Sequence, residues 1–332
     1  MSDRADYIWT RVATRLKDWS DRLSLFRYGQ EDSMKWMSSR ITENGLLIAD
    51  EVGLGKTRLA LLAMYATILE SGTVTAVVPP GLLYQWEQEA DDVWDSLVQA
   101  GAVEPSEKKP ACIRVRSYID LFMNGEGNPP YPLCSSAESR WLLISQAFDL
   151  YVIKKGAASW RLELPSLVNA CIREKEGEDR KNRWYQYWRR RGYDQEPGER
   201  PWYDNHREAA RFLSAGGRSV YPADLQAVFD CESLRPTTSV DTDGSDYHRA
   251  RQECVQLFHK DQPGRRLLMN MVGRLIGPVD LLVMDEAHKS REYDDVPVTR
   301  FGRLVDEILV TTSRARRIGM TATPVELDAE QW

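Results

Sequence analysis

Residues 50–57 have the sequence DEVGLGKT and directly follow the short apolar run LLIA at 46–49. A loop that holds nucleotide phosphates needs backbone N–H groups at a helix N-terminus, glycines that permit a tight turn, a lysine, and a hydroxyl for Mg²⁺. The stretch supplies these groups at Gly53, Gly55, Lys56 and Thr57. Phosphate-binding loops usually have a glycine where this chain has Asp50, so the alternative is an ordinary glycine-rich turn from a strand into a helix.

Short apolar runs and helical patterns alternate along much of the chain. The runs predict strands at 46–49, 73–78, 111–115, 141–145, 279–284 and 317–320, and the helical patterns lie at 56–70, 81–95 and 301–309. Strand, helix and strand in succession indicate an α/β fold of three layers, in which helices cover a central, mostly parallel sheet. Such sheets bind ligands at the carboxyl ends of their strands.

The periodicity changes between about residues 150 and 276, where the sequence is rich in Trp, Tyr, Arg and Glu and is interrupted by loop-like segments. We interpret this region as a large, mainly helical insertion. The predicted organisation is therefore N-terminal helices at 1–44, a first part of the α/β domain at 45–150, the insertion at 151–275, and a second part of the domain at 276–332.

The composition is that of a globular protein with a substantial core, since 42% of the 332 residues are apolar. The 44 Lys and Arg residues are outnumbered by 50 Asp and Glu residues, and the net charge of -6 excludes a general attraction to nucleic acid or to anionic membranes. A site for a polyanion must therefore be a local patch. No uninterrupted apolar stretch of about 18 residues occurs, so we expect no membrane partner.

The five cysteines are widely spaced and form no CxxC pair, which favours a reducing, cytoplasmic location over a zinc or disulfide framework. The four histidines are equally scattered. Near the N-terminus, Ile8, Trp9, Val12 and Leu16 recur at helical spacing among charged residues. This pattern predicts a helix that docks on the domain and not an export signal.

A second group of polar residues follows the strand predicted at 279–284. Asp285 and Glu286 come directly after the apolar residues, and His288 is close behind. An aspartate there can hold a Mg²⁺ ion that bridges phosphates, and a glutamate can orient or deprotonate the attacking water. Alternatively, the two acids cap a following helix while the histidine packs beside them.

Five stretches carry a family resemblance by their sequence and order: ADEVGLGKT at 49–57, VVPPGLLYQWEQE at 77–89, LLISQAFDL at 142–150, LLVMDEAHK at 281–289 and IGMTATPVE at 318–326. They resemble the motifs of superfamily two helicase-type ATPases, and most closely those of the Swi/Snf-type DNA translocases. In that family Asp-Glu precedes the Gly-x-Gly-Lys-Thr turn, as it does here. The resemblance implies a RecA-like fold with ATP and Mg²⁺ as cofactors.

The resemblance also implies which residues form the nucleotide site. The phosphates would contact Gly53, Leu54, Gly55, Lys56 and Thr57, Mg²⁺ would lie on Thr57 and Asp285, and the catalytic residues would be Lys56, Asp285 and Glu286. Upstream, Gln30 resembles the family's adenine-reading residue, with Tyr28 packing near the base. A glutamine at the start of an amphipathic helix is also common without any such role.

Two of the motifs resemble segments that touch nucleic acid. The residues concerned are Pro80, Gly81 and Gln85 after the strand at 73–78, with Ser145 and Gln146 at the end of the strand at 141–145. Backbone N–H groups at the start of a helix would meet a phosphate of one strand. The alternative is a structural turn with Trp86 in the core.

Thr321 and Thr323 lie in the motif that couples hydrolysis to strand movement in the family. Their hydroxyls can bond the carboxylates of Asp285 and Glu286 and, together with His288, link the nucleotide site to the nucleic-acid face. A plain strand that ends at Pro324 is the alternative.

Within the insertion, Trp184, Tyr187, Trp188 and Arg191 share one face of a predicted helix, among further basic residues at 180–190. Interleaved cations and aromatic rings suit a nucleic-acid backbone with some stacking. An aromatic stripe at this spacing is also typical of a helix that packs on its own domain. A protein partner at the insertion is a third possibility.

The leading hypothesis is an ATP-dependent motor lobe that moves along double-stranded DNA, by analogy a prokaryotic defence or repair motor. Because the sequence ends at Trp332, shortly after the last motif, we expect a second RecA-like lobe in a longer chain and little hydrolysis without it. Two alternatives remain. One is a DEAH-type helicase acting on RNA or single strands, and the other is a protein-interaction module switched by nucleotide.

Overall fold

The computed structural model describes residues 3–22, 30–43, 45–49, 55–122, 131–148, 167, 170–171, 202–215, 263–290 and 299–321. The chain divides into two compact units. The first, which we call the sheet unit, comprises Met1–Ser117, Pro132–Phe148 and Ile276–Trp332, and the second comprises Tyr118–Tyr131 and Asp149–Leu275. The domain boundaries drawn from the sequence stay predictions.

Six parallel strands form a single sheet in the sheet unit. They are β1 Leu46–Ile48, β2 Val74–Val78, β3 Ala111–Val115, β4 Arg140–Ser145, β5 Pro278–Met284 and β6 Val310–Met320. Their order in the sheet is β1-β6-β5-β2-β4-β3, and every neighbouring pair is parallel. The predicted α/β fold with a parallel sheet is confirmed.

The helices of the sheet unit lie before and between these strands. They are α1 Asp3–Arg22, α2 Gln30–Arg40, α3 Lys56–Leu69 and α4 Leu83–Gln99, the last preceded by a 3-10 turn at Pro80–Leu82. In the second unit lie α5 Trp202–Ala215 and most of α6 Pro263–Ile276, and a 3-10 turn spans Tyr118–Leu121. Between β5 and β6 come a 3-10 turn at Ala287–Ser290 and α7 Arg300–Arg303, which continues as a π-helical turn, Leu304–Ile308.

Helix α3 forms the centre of the core. Ten consecutive residues from Leu59 to Ile68 are buried, as expected for a helix covered on all sides. It contacts α1 and α4 as well as strands β2 and β5. The helix is therefore fixed by contacts on several sides.

Helix α1 packs on the domain through its apolar face, where Trp9, Val12 and Leu16 are buried. The indole Nε1 of Trp9 donates a hydrogen bond to the carbonyl oxygen of Arg314 on β6 at 2.7 Å. Arg15 donates through Nε to Glu70, just after α3, at 2.7 Å. The helix is thus attached to both the sheet and α3.

Strand β6 begins at Val310, seven residues before the start predicted from the sequence. Its first half is polar, and the pairing with β5 is irregular between Val279 and Leu281. The first half of β6 is polar because its side chains bind the buried carboxylate of Asp280. This carboxylate accepts hydrogen bonds from Thr312 Oγ1 at 2.9 Å and from Arg314 Nε at 2.7 Å. Polar residues of β6 thus face a buried charge, so apolar periodicity does not mark the strand.

Asp280 also accepts hydrogen bonds from the backbone N–H and the hydroxyl of Thr73, both at 2.9 Å, so it connects β6 to the residue before β2. Only 2% of the residue is exposed. Burial by itself raises the pKa of this carboxyl, but the bonds from Arg314 and Thr73 outweigh it and hold the pKa below its usual value. We call Asp280, Thr73, Thr312 and Arg314 the Asp280 cluster.

Among the residues that the structure describes, no helix is long and apolar enough to cross a membrane.

Candidate nucleotide and nucleic-acid site

The motifs converge because the strands that precede them are parallel neighbours. Ile48 is paired with Met320, and Met284 with both Gly319 and Val77. Hydrogen bonds continue beyond the strands, from Thr321 N to Ile48 O at 3.1 Å and from Asp285 N to Val77 O at 3.0 Å. The segments that follow β1, β2, β5 and β6 therefore lie at one edge of one sheet.

Gly55 is the residue that caps α3 at its N-terminus. Its backbone is left-handed, with φ 82° and ψ 29°, a conformation that glycine adopts without strain. Among the described residues no side chain caps the helix, and its first turn contains no acidic residue. The positive end of the helix dipole, with Lys56 and Thr57 as the first helical residues, thus suits an anion such as a phosphate. Gly53 and Leu54 lie outside the described residues.

The side chain of Gln30 lies against Gly55. A β-carbon built on Gly55 would be 2.0 Å from Nε2 of Gln30. Gln30 is the first residue of α2 and is 5% exposed. Two residues that the sequence assigned to opposite ends of the nucleotide are thus in direct contact. The predicted adenine contact of Gln30 stays a prediction, and Tyr28 lies outside the described residues.

Asp285 is held at several of its atoms. Oδ1 accepts a hydrogen bond from Glu286 N at 2.9 Å, and Oδ2 accepts one from Trp86 Nε1 at 3.2 Å. The backbone carbonyl oxygen of Asp285 accepts one from Gln146 Nε2 at 2.5 Å. The carboxyl group therefore has a defined orientation at the carboxyl edge of the sheet.

The electrostatic setting of Asp285 suits a cation. Burial raises the pKa of its carboxyl, and the negative charge of Glu286 adds to that effect, while the Trp86 hydrogen bond and the positive charge of Lys56 oppose it. A divalent cation would favour the ionised form in the same way as Lys56 does, and oxygen ligands are those that Mg²⁺ prefers. Within the described residues no group of three or more His, Cys, Asp or Glu side chains could hold a metal. Mg²⁺ sites need only one or two carboxylates beside the phosphates, so the carboxyl of Asp285 is chemically suited to such a site, and Thr57 as a second ligand stays a prediction.

Glu286 has an unusual backbone conformation for a residue with a side chain, with φ at 48°. A left-handed backbone at a non-glycine residue costs on the order of 1–2 kcal/mol. Strain of this kind is often found at functional sites. No sequence pattern indicated this conformation.

His288 lies between Glu286 and Thr321. Its Nδ1 is 3.3 Å from Oε2 of Glu286 and 3.1 Å from Oγ1 of Thr321. A carboxylate only accepts hydrogen bonds, so this contact favours a hydrogen on Nδ1. The sequence predicted that the threonine hydroxyls would bond the carboxylates, whereas this contact of Thr321 reaches Glu286 by way of His288. Thr323 lies outside the described residues.

The turn after β2 presents an accessible surface. Pro80, Gly81 and Gln85 are exposed, as is Tyr84 with 61% of its surface. A β-carbon on Gly81 would meet no atom within 4 Å. Trp86 is 1% exposed, as the structural interpretation of this motif predicted. The turn thus combines an exposed start of α4 with a buried indole that reaches Asp285.

Ser145 and Gln146 are buried, at 2% and 8% exposure. Gln146 N donates to Val78 O at 2.8 Å, and Ala147 N donates to Ser145 Oγ at 3.1 Å. These backbone groups are used inside the sheet unit. The nucleic-acid contacts predicted for both residues stay predictions, and the structure adds that Gln146 supports the backbone of Asp285.

Sequence reasoning missed the contribution of Trp86 to the nucleotide site. A local signal was present in the tryptophan on the apolar face of the predicted helix, because a buried indole N–H usually finds a hydrogen-bond partner. The aromatic residues predicted to bind nucleic acid at 184–191 lie outside the described residues.

Comparisons with known proteins bear on the first half of this site. Residues 29–114 match the family model of the SNF2-related domain. No curated protein and no solved structure matches the chain. The matched residues include Gln30, the glycine-rich segment at 50–57, α3 and the exposed turn before α4. Over these residues the chain is similar to the SNF2-related domain, a helicase-like domain of the Swi/Snf type in superfamily two.

Proposed function

We propose that this chain is the ATP-binding motor lobe of an ATP-dependent translocase that acts on double-stranded DNA. The observation that carries the proposal is the meeting of three features at one edge of a parallel sheet. These features are the uncapped start of α3 at Gly55, the oriented carboxyl of Asp285, and Glu286 in contact with His288. The match to the SNF2-related domain supports a helicase-like ATPase in general.

In this proposal the start of α3 holds the phosphates through the backbone from Gly53 to Thr57, and Lys56 supplies the positive charge. Thr57 and Asp285 would hold Mg²⁺, which when bound neutralises charge on the phosphates. Glu286 orients the attacking water and accepts its proton. A hydrogen on Nδ1 of His288 fixes the carboxylate of Glu286 for that task.

The nucleic-acid contact is proposed at the exposed start of α4, with Pro80, Gly81 and Gln85 facing a phosphate backbone. The contact between Thr321 and His288 supports a connection from the end of β6 to Glu286. Hydrolysis also needs arginines from a second RecA-like lobe, and arginines of that kind contribute about a thousandfold or more to the rate. We therefore propose that fast hydrolysis requires such a lobe, whereas binding of Mg-ATP does not.

Binding measurements on the full chain test the nucleotide part of the proposal. Lys56→Ala should weaken Mg-ATP binding at least tenfold, measured by displacement of a fluorescent analogue. Lys35→Ala is the matched control, because Lys35 is exposed on α2 and forms a surface ion pair with Glu31 at 2.5 Å. Equal affinities of the two variants would contradict the assignment of the phosphate site.

Binding of duplex DNA, single-stranded DNA and RNA of equal length separates the translocase from a DEAH-type helicase. We expect duplex DNA to bind most tightly, whereas a preference for RNA would overturn that part of the proposal. A protein partner at the insertion is tested by deletion of residues 155–261. If the insertion binds a protein, the deletion removes that binding and leaves the affinity for nucleotide unchanged.

A further inference from the structure

Trp86 connects two parts of the sheet unit that are far apart in sequence. It lies in the first turn of α4, beside the exposed Gln85 and after the 3-10 turn that contains Gly81, and it is itself buried. Its indole Nε1 donates a hydrogen bond to Oδ2 of Asp285, 199 residues away, at 3.2 Å. A side chain from the proposed nucleic-acid turn thus contacts the carboxyl group proposed to hold Mg²⁺.

The bond leaves that carboxyl group able to bind a cation. Each carboxylate oxygen has two lone pairs. Oδ1 uses one for the N–H of Glu286, and Oδ2 uses one for the indole of Trp86. Within the described residues these bonds leave one lone pair on each oxygen for a cation or for its water, and the two donors together fix the rotation of the group.

The bond also has no simple replacement on the side of Trp86. An indole N–H is a donor only, and a buried donor without an acceptor costs about 1–3 kcal/mol. The ring is 1% exposed, so bulk water cannot take the place of the carboxylate. The orientations of Trp86 and Asp285 are therefore mutually dependent.

We propose that Trp86 is a positioning residue for Asp285, which holds the carboxyl group in the orientation that binds the Mg²⁺ of Mg-nucleotide. The inference rests on the proposed function. Groups that orient a metal ligand typically change metal affinity by about 10–100-fold. The effect should therefore appear in the metal-dependent part of nucleotide binding.

The test is Trp86→Phe, which removes the N–H donor and keeps an aromatic ring in the core. We expect this variant to bind ADP about tenfold more weakly than the wild type in Mg²⁺, and equally well in EDTA. Trp94→Phe is the matched control, since Trp94 is buried on the same helix, where its ring packs 5.2 Å from that of Tyr65. It should change neither affinity.

The NMR resonance of the indole N–H gives a second readout. It is followed in the wild type, so the result holds even if Trp86→Phe is unstable. The indole N–H resonance of Trp86 is identified as the one missing in Trp86→Phe, or as the one displaced in Asp285→Asn. In the wild type it should shift when Mg-ADP binds and remain in place with ADP in EDTA.

The outcomes distinguish this inference from the proposed function. If the wild type binds Mg-ADP but Trp86→Phe binds it equally well, or the indole resonance does not move, the inference is wrong and the proposed function stands. If the wild type does not bind Mg-ADP at all, the proposed function fails and the inference fails with it.

Discussion

The amide of Gln30 occupies the space beside Gly55 where any other residue would have its β-carbon, only 2.0 Å from that position. The first residue of α2 and the cap of α3 are therefore fitted to each other. Gly55 is required both for this contact and for its φ of 82°.

Gly55→Ala should consequently destabilise the chain and weaken nucleotide binding. We expect a loss of about 1–2 kcal/mol from the left-handed backbone, with a further loss from displacement of Gln30. Chemical denaturation of the single and double variants with Gln30→Ala measures the two contributions. The double variant should lose less free energy of unfolding than the sum of the two single variants, because Gln30→Ala removes the side chain that the new β-carbon would displace. If the two losses simply add, the contact between Gln30 and Gly55 does not affect stability.

The strained backbone of Glu286 leads to a prediction about stability and activity. Glu286→Gly and Glu286→Ala both remove the carboxylate, but only glycine adopts a φ of 48° without strain. The glycine variant should be more stable than the alanine variant by about 1 kcal/mol, while neither hydrolyses ATP. Thermal unfolding followed by circular dichroism provides the comparison. An alanine variant as stable as the glycine variant would argue against strain at this position.

The Asp280 cluster makes stability depend on pH in the acid range. Because the folded pKa of Asp280 lies below its unfolded value of about 3.9, its contribution is fully present above that value and is lost as the pH falls through the folded pKa. Asp280→Asn should reduce the slope of stability against pH in this window. At pH 7 it should cost about 3 kcal/mol, since Arg314 is left without its partner.

The matched control for Asp280→Asn is Asp91→Asn, which removes an exposed carboxylate paired with Lys109 at 2.7 Å. Surface pairs contribute little, so this variant should be as stable as the wild type. Urea denaturation at several pH values between about 2 and 7 measures both effects. A wild-type slope retained in Asp280→Asn would rule out Asp280 as its source.

Opposite ends of α4 offer a paired test of the nucleic-acid contact. Gln85 is exposed near the start of the helix, and Gln99 is exposed at its last residue. Gln85→Glu should weaken binding of duplex DNA by about fivefold or more at low salt, because the added charge faces phosphates. Gln99→Glu carries the same charge change and should bind like the wild type. Fluorescence anisotropy at two salt concentrations distinguishes a local effect from one of net charge.

Sequence patterns predicted the sheet and the edge where the motifs meet, because both depend on short segments of neighbouring residues. Apolar runs mark β2, β4 and β5, and the polar motifs follow β1, β5 and β6 directly. In an all-parallel sheet, segments that follow neighbouring strands must come together. The position of Asp285 beside the end of β6 therefore followed from the order of short patterns.

Contacts between distant residues could not be predicted in the same way. The first half of β6 is polar because Thr312 and Arg314 bind Asp280, more than 30 residues earlier in the chain. The indole of Trp86 reaches Asp285 across 199 residues, and Gln30 reaches Gly55 only after α2 has packed. Each of these depends on tertiary packing, which leaves no periodicity in the sequence.

Strand β5 carries Asp280 near its first residue, and Asp285 follows directly after its last. The two carboxylates are separated by five positions, or roughly 17 Å of extended chain. One anchors the strand at its amino end, and the other lies at its carboxyl end, where we propose that the phosphates bind. The residue that stabilises the strand and the residue proposed to hold Mg²⁺ thus lie at opposite ends of β5. Substitution at Asp285 should therefore remove activity while the Asp280 cluster still holds the strand in place.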